Sequence, residues 1–158
     1  MTVSSLIFDL TGASLKSADN KSQFTPGQYA HGDYGGVFIY GAALANFAIG
    51  DLIFFDKDYN AAALTTAASP RGAKVAAAKV AMVTGQYGWF QVGGQALVKC
   101  AAAVAVNARL NTTATTSAAD DDGTAGNKEI LGAVLAVAAA GAGTAEATLT
   151  EPYVNATL

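Results

Sequence analysis

The chain lacks most of what a catalytic, metal-binding or nucleic-acid-binding protein would use. It has one cysteine, Cys100, so no disulfide can form within it, and no histidine or second thiol lies near that residue in sequence to make a metal site or lower its pKa. A buried, inert thiol is the expected state. The one histidine, His31, sits in a polar stretch beside Gly32 and Asp33. Nothing in the sequence supplies the nucleophile and oriented carboxylate that would make it a general base. Charged residues are only 13% of the chain, about half the usual share. The nine Lys and Arg are scattered and the net charge is −3, which excludes the basic patch that phosphate neutralisation needs. No secretory signal is legible at the start, and the longest small-apolar run, residues 130–143, is too short and glycine-rich for a spanning helix. No membrane, nucleic-acid or cofactor partner is expected.

What is present is apolar, small and glycine-punctuated. Apolar residues are 52% of the 158, much of that alanine, and so few charges protect weakly against association, which points to an assembled state. Short β-rich runs recur at 37–40, 52–55, 75–83, 89–92, 96–101, 108–112, 130–137 and 145–149. Between them stand turn formers: Gly50-Asp51, residues 58–60, Ser69-Pro70-Arg71-Gly72, Gly85, Gly93-Gly94, Asp122-Gly123 and residues 141–143. Near the end Ala145, Ala147 and Leu149 alternate with Thr144, Glu146, Thr148 and Thr150, the pattern of a half-buried strand. Alanine alone would make 61–68, 74–83 and 131–140 helical. Valine, embedded glycine and short spacing favour strands for the last two.

The expectation is an all-β body, a small barrel or sandwich of about eight short strands, over 35–158. Phe38, Phe54, Trp89, Val92 and Leu149 are its expected core, with Trp89 at the packing centre. Residues 1–34 have one apolar patch and then a polar stretch with no sustained period, which predicts an extended arm ordered against a partner. Leu6, Ile7, Phe8, Leu10, Phe24 and Tyr29 are its candidate interface side chains. A weak duplication is also legible, with Gly50–Phe54 laid over Asn107–Asn111, 74–83 over 128–137, and 88–92 over 144–148.

Three further motifs have bland readings. Asp120-Asp121-Asp122-Gly123 fits part of an EF-hand frame through Glu129, but Ala118 stands at the first ligand position and no helices flank it, so a solvated loop is expected. The aromatic residues Tyr87, Trp89, Phe90, Phe54 and Phe55 could form a sugar-stacking face, although strand aromatics are more often core. The sequons at Asn20, Asn111 and Asn155 read as chance matches.

Tyr87-Gly88-Trp89-Phe90-Gln91-Val92-Gly93-Gly94, an alanine-rich stretch, Leu110-Asn111-Thr112-Thr113-Ala114, an acidic loop, Ile130-Leu131-Gly132 and a closing Pro152-Tyr153-Val154 together resemble tailed-bacteriophage capsid decoration proteins. Gly36-Val37-Phe38-Ile39-Tyr40 and Ala48-Ile49-Gly50-Asp51-Leu52-Ile53 resemble their early strands, so the likeness covers roughly 30–155. The resemblance implies a non-enzymatic cement protein on the outer surface of the virion, made in the host cytoplasm. Its partner would be the major capsid protein, and its own state a homo-oligomer with a trimer favoured. A host-adhesion or glycan-binding module of the virion surface is the alternative.

Overall fold

The computed structural model describes residues 15–158 and is almost entirely β. Ten strands follow one another: β1 (Tyr29–His31), β2 (Val37–Ala43), β3 (Leu52–Phe55), β4 (Asn60–Ala63), β5 (Val75–Ala78), β6 (Tyr87–Cys100), β7 (Arg109–Thr112), β8 (Ala119–Asp120), β9 (Lys128–Leu135) and β10 (Gly143–Thr157). The all-β expectation holds, with ten strands in place of about eight. Among the described residues no helix is long and apolar enough to cross a membrane.

The pairings close two rings. In the first, β2 runs parallel to β4, β4 pairs with β3, β3 with β5, β5 with β6, and β6 returns to β2. In the second, β6 runs parallel to β8, β8 pairs with β7, β7 with β9, β9 with β10, and β10 returns to β6. The first half of β6 therefore closes one five-stranded ring and its second half opens the next. Gly93 and Gly94, expected as a turn between two strands, lie inside this one strand. A ladder irregularity sits there, Gly94 has φ +81°, and a Cβ on Gly93 would meet Val37 Cγ2 at 2.8 Å. Two glycines let the strand bulge and change its aim without stopping.

The rings are one supersecondary unit used twice, 57 residues apart. The bridge Phe47↔Met82 recurs as Val104↔Ala139, and the bond from Gly50 N–H to Ala78 C=O recurs from Asn107 N–H to Leu135 C=O. Left-handed backbone recurs as well, at Gly50 and Asn107 and at Gly94 and Glu151. The parallel pair Ala43↔Ala61 returns as Cys100↔Ala119 after one inserted residue. The duplication seen in the sequence is thus present, but two of its three alignments were out of register. An alanine-rich chain matches itself at many offsets, and only backbone pairing fixes the right one.

Alternation along the strands divides the apolar residues. Ile39, Ile53, Phe55, Ala76, Ala78, Phe90 and Val92 belong to the core of ring one. Their counterparts Ala96, Leu110, Ala133, Leu135, Ala147 and Leu149 lie in the cluster of ring two, which also takes in Leu52, Phe54, Val75 and Ala77 from the opposite face of β3 and β5. That shared cluster holds the units together. The Lys99–Asp51 ion pair at 3.2 Å and the bond from Lys99 N–H to Gly50 C=O support it at one end.

Phe38, Phe54, Trp89, Val92 and Leu149 are all buried, but in three different clusters. Trp89 is not at the packing centre. Phe90 and Val92 face into ring one, so Trp89 faces outward and forms a separate cluster with Ala30, Phe38 and Tyr40. Ala61, which alanine propensity could have placed in a helix, is in β4, because ring closure against β2 and β3 outweighs a helix preference of less than about 1 kcal/mol per residue.

Candidate functional site

The outer aromatic cluster gives the first part of the chain its place. Half of the expected arm is fastened to the body. Asp19 and Tyr87 exchange both backbone hydrogen bonds, each at 2.8 Å, so residue 19 adds itself to the outer edge of β6. Tyr40 Oη donates to Asp19 Oδ2 at 2.6 Å and accepts from Gln23 N–H at 3.1 Å, and Gln86 Nε2 donates to Asn20 Oδ1 at 2.9 Å. Phe24 lies edge-on to Tyr40 at 5.3 Å and tilted on Trp89 at 5.2 Å, and Leu15 packs on the same cluster. Residues 15–34 look polar and aperiodic in sequence because they need only scattered apolar anchors, Leu15, Ala18, Phe24 and Ala30, where they cross a ready-made groove.

Burial pushes the Tyr40 phenol up, and its donated bond to Asp19 adds to the effect, to about 12. The folded state thus holds this proton more tightly than the unfolded chain, whose tyrosines titrate near ~10. The stabilisation is complete below about pH 10 and is lost as pH rises toward 12. Raising the pH through this window should release residues 15–24, seen as accelerated amide exchange at Asp19 and Tyr87. Tyr40→Phe should lose the pH dependence while weakening the segment at neutral pH by about 1–3 kcal/mol, since the Asp19 carboxylate forfeits its donor. Unchanged pH dependence in Tyr40→Phe would exclude this phenol as the cause.

Of the expected interface residues, Phe24 is half-buried against Trp89, whereas Tyr29 is partly exposed on β1, where its hydroxyl accepts from Lys74 Nζ at 2.6 Å. Leu6, Ile7, Phe8 and Leu10 lie outside the described residues. His31 is exposed on β1 opposite Val37. Cys100 is buried at the end of β6, and burial raises its pKa, with Asp120 and Asp121 adding to the shift, as suits an inert thiol.

The acidic cluster closes loops. Asp120 Oδ1 accepts from Asp121 N–H at 2.8 Å, and Asp121 Oδ2 accepts from Ala105 N–H at 2.9 Å, tying the β6–β7 connection down. The three carboxylates are close enough to share a cation, yet Ala118, the first position of the EF-hand frame, is buried. The strand aromatics are core, as expected, and offer no sugar-stacking face: Trp89, Phe90, Phe54 and Phe55 are all buried. The sequon Asn111 is fully buried, beyond the reach of a glycan.

The feature the sequence did not reveal is a set of apolar residues at the loop tips. Leu44 and Ile49 in the β2–β3 connection, Val83 in β5–β6, Val106 in β6–β7 and Val137 in β9–β10 are each about half exposed. The bridges Phe47↔Met82 and Val104↔Ala139 tie these connections together in pairs, so each unit presents one rigid apolar tip, and Ile49 and Val106 are equivalent positions. Isolated apolar residues inside turn segments were the only sequence signal for them.

Protein-family models and curated proteins were compared with the chain, and none matches it.

Proposed function

We propose that this protein is a non-enzymatic decoration protein that binds the outer surface of an assembled bacteriophage head and stabilises the major capsid protein shell. The observation that carries the proposal is the repeated apolar tip: matched exposed side chains, Ile49 and Val106, on two rigid copies of one unit. Exposed apolar residues on short, bridged loops lose little chain entropy on binding, and duplicated tips suit a surface that repeats its own contacts. The low charge and the sequence resemblance support the same reading.

The test uses heads stripped of the protein. The intact chain should load onto them to a fixed ratio with the major capsid protein and raise the temperature at which they rupture. Burying one such side chain contributes about 1.5–3 kcal/mol, so Ile49→Asp and Val106→Asp should each lower affinity at least about tenfold without unfolding the body. Heads that take up none of the intact chain would refute the proposal, and glycan-array binding by the same sample would favour the adhesion alternative.

A further inference from the structure

The internal repeat shows where unit two departs from unit one in chemistry. In unit one Phe54 is the cross-strand partner of Ala62, and both belong to the apolar packing between the units. In unit two the equivalent antiparallel pair is Asn111 and Asp120. With the one inserted residue counted, Ala62, Ala63 and Leu64 become Asp120, Asp121 and Asp122. A free end with no further unit to cover it accounts for polar residues there, but not for their burial. Asn111 is 0% exposed, and Asp120 and Asp121 are half-buried.

Asn111 lies on the acidic loop with half of its amide unused. Its Nδ2 donates to the Asp122 C=O at 3.3 Å, while Oδ1, on the same carbon, is fully buried and accepts from no donor among the described residues. A buried acceptor left unpaired costs about 1–3 kcal/mol. Paired residues on neighbouring strands carry their side chains on one face, so Asn111 and Asp120 point the same way. One oxygen from each of Asp120, Asp121 and Asp122 lies within 4.8 Å of the others. Two oxygens bound to one calcium ion at ~2.3–2.6 Å are likewise no more than about 5 Å apart. Among the described residues none of the ion pairs involves these carboxylates, and residues 1–14 contain no Lys, Arg or His. Asp120 and Asp121 each commit one oxygen to a backbone N–H and keep the other. Three negative charges and a buried neutral oxygen thus share one end of unit two with no side-chain cation to balance them.

We propose that Asp120, Asp121, Asp122 and the Oδ1 of Asn111 form a calcium site, with water completing the about six to eight oxygens this ion takes. The set is not the EF-hand frame. Glu129 is taken by Arg109 at 3.6 Å and by Asn155 Nδ2 at 2.9 Å, and Asn111 comes from β7, outside that frame. Calcium suits an all-oxygen set drawn from a strand pair and a loop, whereas magnesium demands near-ideal octahedral geometry and gives up its water reluctantly. Asp121 also holds Ala105 N–H at 2.9 Å, next to Val106, so an ion here braces the loop that carries this tip. The site needs no capsid, and its failure is distinguishable from a failure of head binding.

Calorimetric titration of the EDTA-treated intact chain with calcium chloride should show one ion bound per chain, and calcium should raise Tm where sodium chloride at equal ionic strength does not. Magnesium should bind at least about tenfold more weakly. Asp122→Asn removes one charge at an exposed position and should weaken calcium binding at least about tenfold, because affinity follows the charge of the ligands. Asn111→Ala should weaken it as well by removing the buried oxygen. This variant also loses stability in calcium-free buffer, so its readout is the calcium-induced rise in Tm, which should shrink relative to that of the parent. A parent that binds no calcium, a Tm rise matched by sodium, equal binding of magnesium, an unchanged affinity in Asp122→Asn or an undiminished calcium-induced rise in Asn111→Ala would each overturn the proposal.

Discussion

Replacing Trp89 with Ala should lower the stability of the chain by about 3–5 kcal/mol, the usual cost of deleting a large buried aromatic side chain. Trp89 is only 2% exposed and touches both Tyr40, at 5.1 Å between rings, and Phe24, at 5.2 Å. For a chain of this size the loss corresponds to a fall in Tm of about 10 °C. A second effect sets this site apart from an ordinary core position. Removal of the indole withdraws the platform under Phe24, so trypsin should cleave after Lys21 well below the melting temperature. A variant that melts within 2–3 °C of the parent, or that resists trypsin equally, would mean that residues 15–24 are held by something other than this cluster.

Phe90→Ala should cost a similar ~3–5 kcal/mol, although the equivalent residue of ring two is already alanine. Phe90 meets Phe47 edge-on at 6.1 Å and Phe55 at 5.5 Å. In ring two the corresponding residues are Ala147, Val104 and Thr112, all buried. The two interiors have diverged as sets, large with large and small with small. The reverse change, Ala147→Phe, should therefore also destabilise, by about 1–3 kcal/mol through overpacking. Thermal unfolding of both variants checks this. An Ala147→Phe chain more stable than the parent would show that ring two has unfilled space.

These two positions also show what the sequence could and could not convey. Strand identity was legible wherever side chains alternate, as at Ala145, Ala147 and Leu149, because burial on one face imposes period two. Which strands form one continuous element was not: Gly93-Gly94 reads as a turn unless β2 is known to leave β6 there and β10 to take over. The duplication was visible but misregistered, since alanine carries little positional information and the 57-residue spacing is set by backbone pairing. The groove under residues 15–24 was hidden for a related reason. Tyr40, Trp89 and Phe24 are far apart in sequence, and nothing local to any of them signals a shared surface. The apolar loop tips left the least trace, because Ile49 and Val106 are apolar residues lying between strand runs, and only their exposure marks them.

The most direct test of the account is electron microscopy of bacteriophage particles incubated with the intact chain. The decoration reading predicts density for both rings on the outer face of the head, repeated across the shell, with the Ile49 and Val106 tips against the major capsid protein. Density confined to the tail or to fibre tips, or a head that lacks it altogether, would contradict it.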